Sequence, residues 1–243
     1  MLAEIGLVAT FLAFCAAIYA IAASLYGERF ARSEAIVLSG RNAVLLTFAF
    51  MTVAIGALAT ALMSQDYQIA YVWSVSSPDM SPFFRFTALW GSQSGSLLFW
   101  SFLMSAFAAA AVVLNWKSHR RLMPYAIVYM MAVVAFFVAL VLFFENPFTR
   151  WWIIPTNPTD SQVVQAGLIP AGAVAPSATS LASSAQGLNP LLRHFGMAIH
   201  PPMLYLGFVA FVIPFAFAMG ALASGDLSTN WIKATRRWAL IAW

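Results

Sequence analysis

Five apolar blocks, about Leu2–Tyr26, Asn42–Met63, Leu97–Asn115, Leu122–Phe144 and Met203–Ala223, occupy most of this 243-residue chain. Each is close to or above the roughly 20 residues that an α-helix needs to cross the hydrocarbon core of a bilayer. A transmembrane β-strand would instead alternate apolar and polar residues over about ten positions, and no such alternation is present in these blocks. Charged residues make up 8% of the chain, against roughly 25% in a soluble domain. The expected fold is therefore all-α: a polytopic integral membrane protein with five complete transmembrane helices in one domain, 1–243. A sixth apolar run starts at Trp238 and stops at Trp243, too short to cross. The chain thus reads as unfinished: the N-terminal piece of a longer polypeptide, a naturally split subunit, or an incompletely sequenced chain. Met1–Tyr26 has no basic n-region and exceeds a signal h-region in length, so it reads as a retained span.

Lys and Arg set the orientation. Arg29, Arg32 and Arg41 fall in the first loop, Lys117, Arg120 and Arg121 in the third, and Lys233, Arg236 and Arg237 in the fifth. The second loop has only Arg85, and the fourth only Arg150 and Arg193. The positive-inside rule makes the odd loops cytoplasmic, puts the N-terminus outside and turns the second and fourth loops outward. The net charge of +4 and pI near 9.5 come from these cytoplasmic anchors, so nucleic acid is not an expected partner. No span carries an ionisable side chain near its centre, whereas pumps and transporters keep one there despite a cost of about 2–3 kcal/mol. Ion translocation is thereby disfavoured. Cys15, the single cysteine, excludes a Cys-x-x-Cys pair or haem-attachment site on this chain and is expected to be a small buried apolar residue. Pro214 is expected to kink its helix.

The exterior loop 145–198 divides by composition. Residues from about Pro155 to Gln186 are rich in Ala, Ser, Pro, Gly and Thr and read as a flexible insertion. Leu188, Leu191, Leu192 and Phe195 share a helical spacing, so about 187–196 reads as a short amphipathic helix. It leads to Ile199-His200-Pro201-Pro202-Met203-Leu204-Tyr205-Leu206-Gly207, where two prolines suit the opening of a helix. His200 then sits at the outer interface, either as a residue of the helix entry or as a metal ligand. In the second loop, Trp90-Gly91-Ser92-Gln93-Ser94-Gly95-Ser96 runs up to Leu97-Leu98-Phe99-Trp100. It reads either as an interfacial aromatic belt or as a close-approach surface in which Gly91 and Gly95 allow tight backbone.

In this order, the segment Leu89–Trp100, Asn146-Pro147-Phe148, and Gly187–Leu192 leading to His200–Gly207 resemble the N-terminal part of the CcmF family, the haem lyases of cytochrome c maturation, over about residues 40 to 243. The resemblance implies a protein of the inner (cytoplasmic) membrane working at its periplasmic face. Such a protein takes haem b as substrate from a CcmE-like haem chaperone and joins it to the Cys-x-x-Cys-His motif of apocytochrome c. CcmH/CcmI-like subunits that reduce and present the apocytochrome are implied partners, as are the remainder of the lyase and the lipid bilayer. His200 matches a periplasmic histidine of the family. The resemblance therefore makes it the catalytic candidate and axial ligand of the haem iron, with Trp90, Gly91, Trp100, Pro201 and Pro202 as further haem-binding candidates. The family's tryptophan-rich segment, its second periplasmic histidine and the ligands of any structural haem b would follow Trp243, so this chain alone lacks a full haem site. Two departures stand out: the family often has an acidic residue near Ser94, and the Ala/Ser/Pro insertion is longer than usual. The competing reading is a non-catalytic membrane scaffold that docks partners of a cytochrome-assembly or respiratory complex through its exterior loops.

A topology reporter fused after Ser118 is expected to be cytoplasmic and one fused near Ala178 external; the reverse pattern would overturn the orientation.

Overall fold

The computed structural model describes residues 1–157, 160–225 and 228–243. Among them five helical stretches are long and apolar enough to cross a membrane. These are α1 (Leu2–Arg29), α2 (Glu34–Ser64), α5 (Gln93–Asn115), α6 (Met123–Phe143) and the stretch Phe195–Ser224, which holds α8 (Phe195–Ala210) and α9 (Val212–Ser224). Short helices α3 (Ala70–Val75) and α4 (Pro82–Thr87) fill the second connection. The fourth connection contains β1 (Arg150–Asn157), β2 (Asp160–Ala166) and α7 (Ala178–Ser184). An amphipathic helix α10 (Asn230–Ala242) follows α9. The architecture is mostly helical, with one small sheet, and belongs to a multi-pass membrane protein.

The chain forms two compact units. The first comprises Met1–Ala9, Val53–Phe99 and Leu140–Pro202. Its core is built on Leu58, Leu62, Ile69, Leu98 and Phe148, all fully buried. Phe148 reaches that core because α1 carries Gly6 opposite it: a Cβ on Gly6 would overlap the Phe148 ring. The Asn146-Pro147-Phe148 corner is closed by the Phe148 N–H donating to Asn146 Oδ1 at 2.9 Å. From there the chain becomes extended. Ala70 N–H donates to Thr149 O and Trp151 N–H to Gln68 O, tying the start of β1 to the segment before α3. Strands β1 and β2 pair antiparallel, Trp152 opposite Val164 and Ile153 opposite Val163. Arg150 and Trp152 alternate onto one face of β1; the buried guanidinium lies 4.9 Å from the Trp152 ring and 3.1 Å from the Glu4 carboxylate.

The second unit comprises Thr10–Thr52, Trp100–Ala139 and Met203–Trp243. Small residues let its helices approach, as membrane packing requires where no hydrophobic force separates helix from lipid. A Cβ on Gly40 would come 2.6 Å from Ser24 Oγ, and one on Gly220 3.0 Å from the Ala126 nitrogen. Trp100 packs among Phe137, Tyr205 and Phe208, with ring centroids 5.1–5.9 Å away. All nine basic residues assigned to the odd loops lie in this unit, while Arg85, Arg150 and Arg193 lie in the first.

Several expectations are corrected. Helix α2 begins at Glu34, eight residues before the apolar block, so Arg41 is helical and not in a loop; its guanidinium lies 5.3 Å from the Trp116 ring. Cys15 is exposed on α1. The inward face of α1 is Ala13, Ala17 and Ala20, and Cys15, two residues from Ala13 and from Ala17, is rotated about 200° away from each. The insertion from Pro155 to Gln186 is not without regular structure. Its first part pairs as the hairpin, Ile153 exchanges main-chain bonds with Val174, and α7 is held by Trp73 Nε1–H donating to Ser184 Oγ at 3.2 Å. The runs Trp151–Ile154 and Val163–Val164 are rich in strand-favouring residues but too short to show alternation singly. Their pairing supplies the order. Thr159, within this insertion, lies outside the described residues. Near Pro214 the helix breaks at Phe211, where α8 ends and α9 starts. Proline has no N–H for the Ala210 carbonyl four residues back, so the break falls one residue after that carbonyl.

Gly6→Ala is expected to cost about 1–3 kcal/mol by overpacking against Phe148, lowering the Tm of the purified chain. Gly56→Ala, with open space around its Cβ, should leave Tm unchanged or slightly higher.

Candidate functional site

The Trp90–Ser96 segment is held by a side chain that the sequence did not single out. Tyr71, buried on α3, donates its hydroxyl to the carbonyls of Ala88 at 2.8 Å and Leu89 at 3.1 Å. Gly95 lies directly against that hydroxyl and the Leu89 carbonyl, and a Cβ there would overlap both. Ser96 Oγ donates to Trp90 O at 3.1 Å. Trp90 is half-buried, stacked on Phe99 at 5.6 Å and edge-on to Phe86 at 5.7 Å. Gly91 is a close-approach position, since its Cβ would stand 2.6 Å from Leu188 Cδ1. The Trp-Gly segment and the Gly187-Leu188-Asn189-Pro190 segment, 97 residues apart at Gly91 and Leu188 in sequence, therefore meet in space.

Leu188 is buried and its N–H points at Met80 Sδ, 3.4 Å away. After it the chain turns sharply. Gly187 has φ +78°, Asn189 Oδ1 accepts from Leu191 N–H at 3.0 Å, and Pro190–Arg193 form a single 3₁₀ turn. Arg193 Nε–H closes that turn on Leu188 O at 3.0 Å. The expected amphipathic helix over 187–196 is thus replaced: Leu188 faces the core while Leu191 and Phe195 are exposed. The reason is local, because Asn189-Pro190 caps a new turn and His194 is extended at ψ 140°.

Helix α8 starts at Phe195, so Pro201 and Pro202 lie inside it and do not open it. His194 is its cap: its carbonyl accepts from Met197 and Ala198 N–H, and Gly196 N–H donates to its Nδ1 at 3.1 Å. His194 therefore caps the helix that carries His200. Each proline removes a main-chain donor, so the Met197 and Ala198 carbonyls lack their ordinary partners four residues on. The two prolines are half-buried, whereas His200 is exposed. Among the described residues the His200 imidazole has no hydrogen bond, ion pair or ring contact, and exposed Phe195, Met197 and Ile199 precede it on the same helix. Nor does any contact among the described residues join His200 to Trp90 or Gly91. Trp100 belongs to the second unit, and its buried Nε1–H has no partner among the described residues.

A lone exposed imidazole in apolar surroundings suits one axial position on a metal whose other ligands come with it, as in a metalloporphyrin. It does not suit a chelate of several side chains: no cluster of three or more His, Cys, Asp or Glu exists among the described residues.

A second feature escaped the sequence reading. Ser94 Oγ donates to Glu145 Oε2 at 2.8 Å, so a carboxylate stands beside position 94 although residue 94 is serine. The pair lines a cleft of about 470 Å³ together with Trp73, Asn146, Thr149 and Trp151. Trp73 and Trp151 meet edge to face, ring centroids 5.3 Å apart. The only sequence signal was the isolated Glu145 next to Asn146-Pro147-Phe148. Nearby, burial pushes the Tyr67 phenol above its ordinary pKa, so it stays protonated through neutral pH and accepts from Gln65 Nε2–H at 3.0 Å.

Fold and site together define a multi-pass helical membrane protein with a structured set of inter-helix elements carrying one free imidazole. The sequence profile of the family described as Cytochrome C assembly protein matches residues 90–243, and the chain belongs to that family. It is 30% identical over all 243 residues to the cytochrome c-type biogenesis protein CcmF of Pseudomonas aeruginosa, covering 33% of that protein. To CcmF of Escherichia coli it is 33% identical over 197 residues, 80% of this chain and 26% of that protein. A solved structure of cytochrome c haem lyase CcmF superposes on all of this chain and 34% of its own with a TM-score of 0.75 at 22% identity, which establishes the shared fold. The chain spans about a third of the length of the curated relatives it matches.

Tyr71→Phe is expected to cost about 1–2 kcal/mol, the loss of a buried hydrogen bond to two carbonyls. The expected sign is a lower Tm accompanied by a changed near-UV signal from the Trp90 region.

Proposed function

We propose that this chain is the N-terminal part of a cytochrome c haem lyase and that His200 presents an axial ligand to the haem being attached, at the periplasmic face of the inner membrane. The observation that carries this reading is the free, exposed imidazole of His200 on a helix whose start is fixed by the His194 cap and the Arg193 turn. Family membership supports it, since the relatives' names state cytochrome c biogenesis and haem lyase.

Ligation by one imidazole fixes the porphyrin's distance and leaves its rotation and tilt to apolar contacts, for which Phe195, Met197 and Ile199 offer surface. The chemistry itself adds each apocytochrome thiol across a haem vinyl group: sulfur bonds one carbon, the thiol hydrogen goes to the other, and no net oxidation occurs. This chain contributes positioning to that step, because a thiol held close to the vinyl edge reacts as an intramolecular partner. Trp90 and Gly91 form the packed support that keeps Leu188 and the turn before α8 in place. The haem is handed over by a haem chaperone, the thiols by apocytochrome-presenting subunits, and further ligands by the remainder of the lyase.

In cells producing this chain together with the remainder of its lyase, His200→Ala should lower the yield of holocytochrome c by about ten- to hundredfold, the range met when a supporting contact of a metal site is removed. Added imidazole should restore part of it. His194→Ala removes only a cap, worth about 1 kcal/mol of stability, and should leave the yield near that of the parent. An unchanged yield from His200→Ala at equal protein level would overturn the ligand role and favour a docking scaffold.

A further inference from the structure

The largest cavity described lies wholly within the second unit, between the end of α5 and α10, and holds about 600 Å³. Its polar lining is Asn115, Ser118, His119, Asn230, Lys233 and Arg237; its apolar lining includes Leu114, Trp238 and Ile241. Among the described residues no carboxylate lines it, and neither Lys233 nor Arg237 forms an ion pair. Two basic side chains thus share one concave site with no counter-charge among the described residues. The neighbouring donors are oriented: Ser118 Oγ bonds His119 Nδ1 at 2.9 Å, and the His119 ring rests edge-on to Phe217 at 6.4 Å. Asn115 Nδ2 is committed to the Ala111 carbonyl at 2.8 Å.

We propose that this cavity binds the headgroup of an anionic phospholipid. A phosphate there would be met by the Lys233 ammonium and the Arg237 guanidinium, which suits phosphate by its fork geometry. A lipid, and not free phosphate, is favoured by what borders the cations. Leu114 is 72% and Ile241 65% exposed, with Val113 and Leu240 exposed beside them. That apolar border, contiguous with an uncompensated basic pocket at the end of a spanning helix, has the amphipathic order of a phospholipid. The proposal is independent of the role given to His200.

The test is retention of lipid by the full chain, purified and reconstituted in nanodiscs of phosphatidylcholine with a minor fraction of phosphatidylglycerol, read by native mass spectrometry. The double variant Lys233→Gln/Arg237→Gln is expected to lose phosphatidylglycerol about thirtyfold relative to phosphatidylcholine, since each basic residue near a membrane surface contributes roughly fivefold. Lys117→Gln/Arg236→Gln, with the same change in net charge outside the cavity, should retain it. Ala234→Phe keeps every charge, fills the cavity and should lose the lipid as well, which also decides the matter if the first variant fails to fold. Equal loss from both charge pairs would overturn the proposal in favour of diffuse surface attraction. A thermal shift with inorganic phosphate in detergent as large as that with short-chain phosphatidylglycerol would overturn it in favour of a free-anion site.

Discussion

Hydrocarbon offers no partner to a main-chain N–H or C=O, and that constraint keeps the spanning stretches of this protein helical. The five spanning stretches satisfy their backbones internally and pack through small residues such as Ala13, Ala17, Gly40 and Gly220. Where a proline removes a donor, the chain either breaks cleanly, as at Phe211 before Pro214, or tolerates it in a helix of which one side is exposed, as at Pro201 and Pro202. The irregular backbone is gathered into the second and fourth connections. There side chains replace the missing ladders: Tyr71 on the Ala88 and Leu89 carbonyls, Asn146 on the Phe148 amide, Arg193 on the Leu188 carbonyl.

Those three side chains hold the connections that precede the helix end carrying His200. The Trp90-Gly91 turn, the Leu188 contact and the Pro190–Arg193 turn follow one another as a chain of close contacts with little slack, because Gly91 and Gly95 have no room for a Cβ. The histidine itself needs nothing further, since a ligand position is useful only if it is unpaired until its metal arrives. Its lack of partners among the described residues is therefore in keeping with the ligand reading, while the rigidity lies one layer beneath.

The number, type and approximate place of the spanning helices were legible in the sequence because the bilayer imposes a length that composition alone reveals. Ends were less legible: Glu34–Asn42 is helical although Ser39, Gly40, Arg41 and Asn42 interrupt its apolar run, since a helix continues past the apolar block wherever its backbone bonds can. The hairpin was missed because its two strand-prone runs are short and gain order only from each other and from Gln68–Ala70. At the candidate site, the motifs that came together were visible as motifs, and their meeting at Gly91 and Leu188 was not. Tyr71 carried no signal of its own and Glu145 only its isolation, for their roles exist only once α3 and the end of α6 bring them to the Trp90–Ser96 segment.

Charge completes the argument. Arg29, Arg32, Arg41, Lys117, Arg120, Arg121, Lys233, Arg236 and Arg237 all fall in one compact unit, and Arg85, Arg150 and Arg193 in the other. One cavity in each unit differs from the other in charge. In the first unit, the cleft beside Ser94 has Glu145 as its one charged lining group among the described residues; in the second, the cavity beside α10 is lined by Lys233 and Arg237 with no carboxylate among the described residues. By charge alone an anion is disfavoured beside Glu145 and favoured beside Lys233 and Arg237.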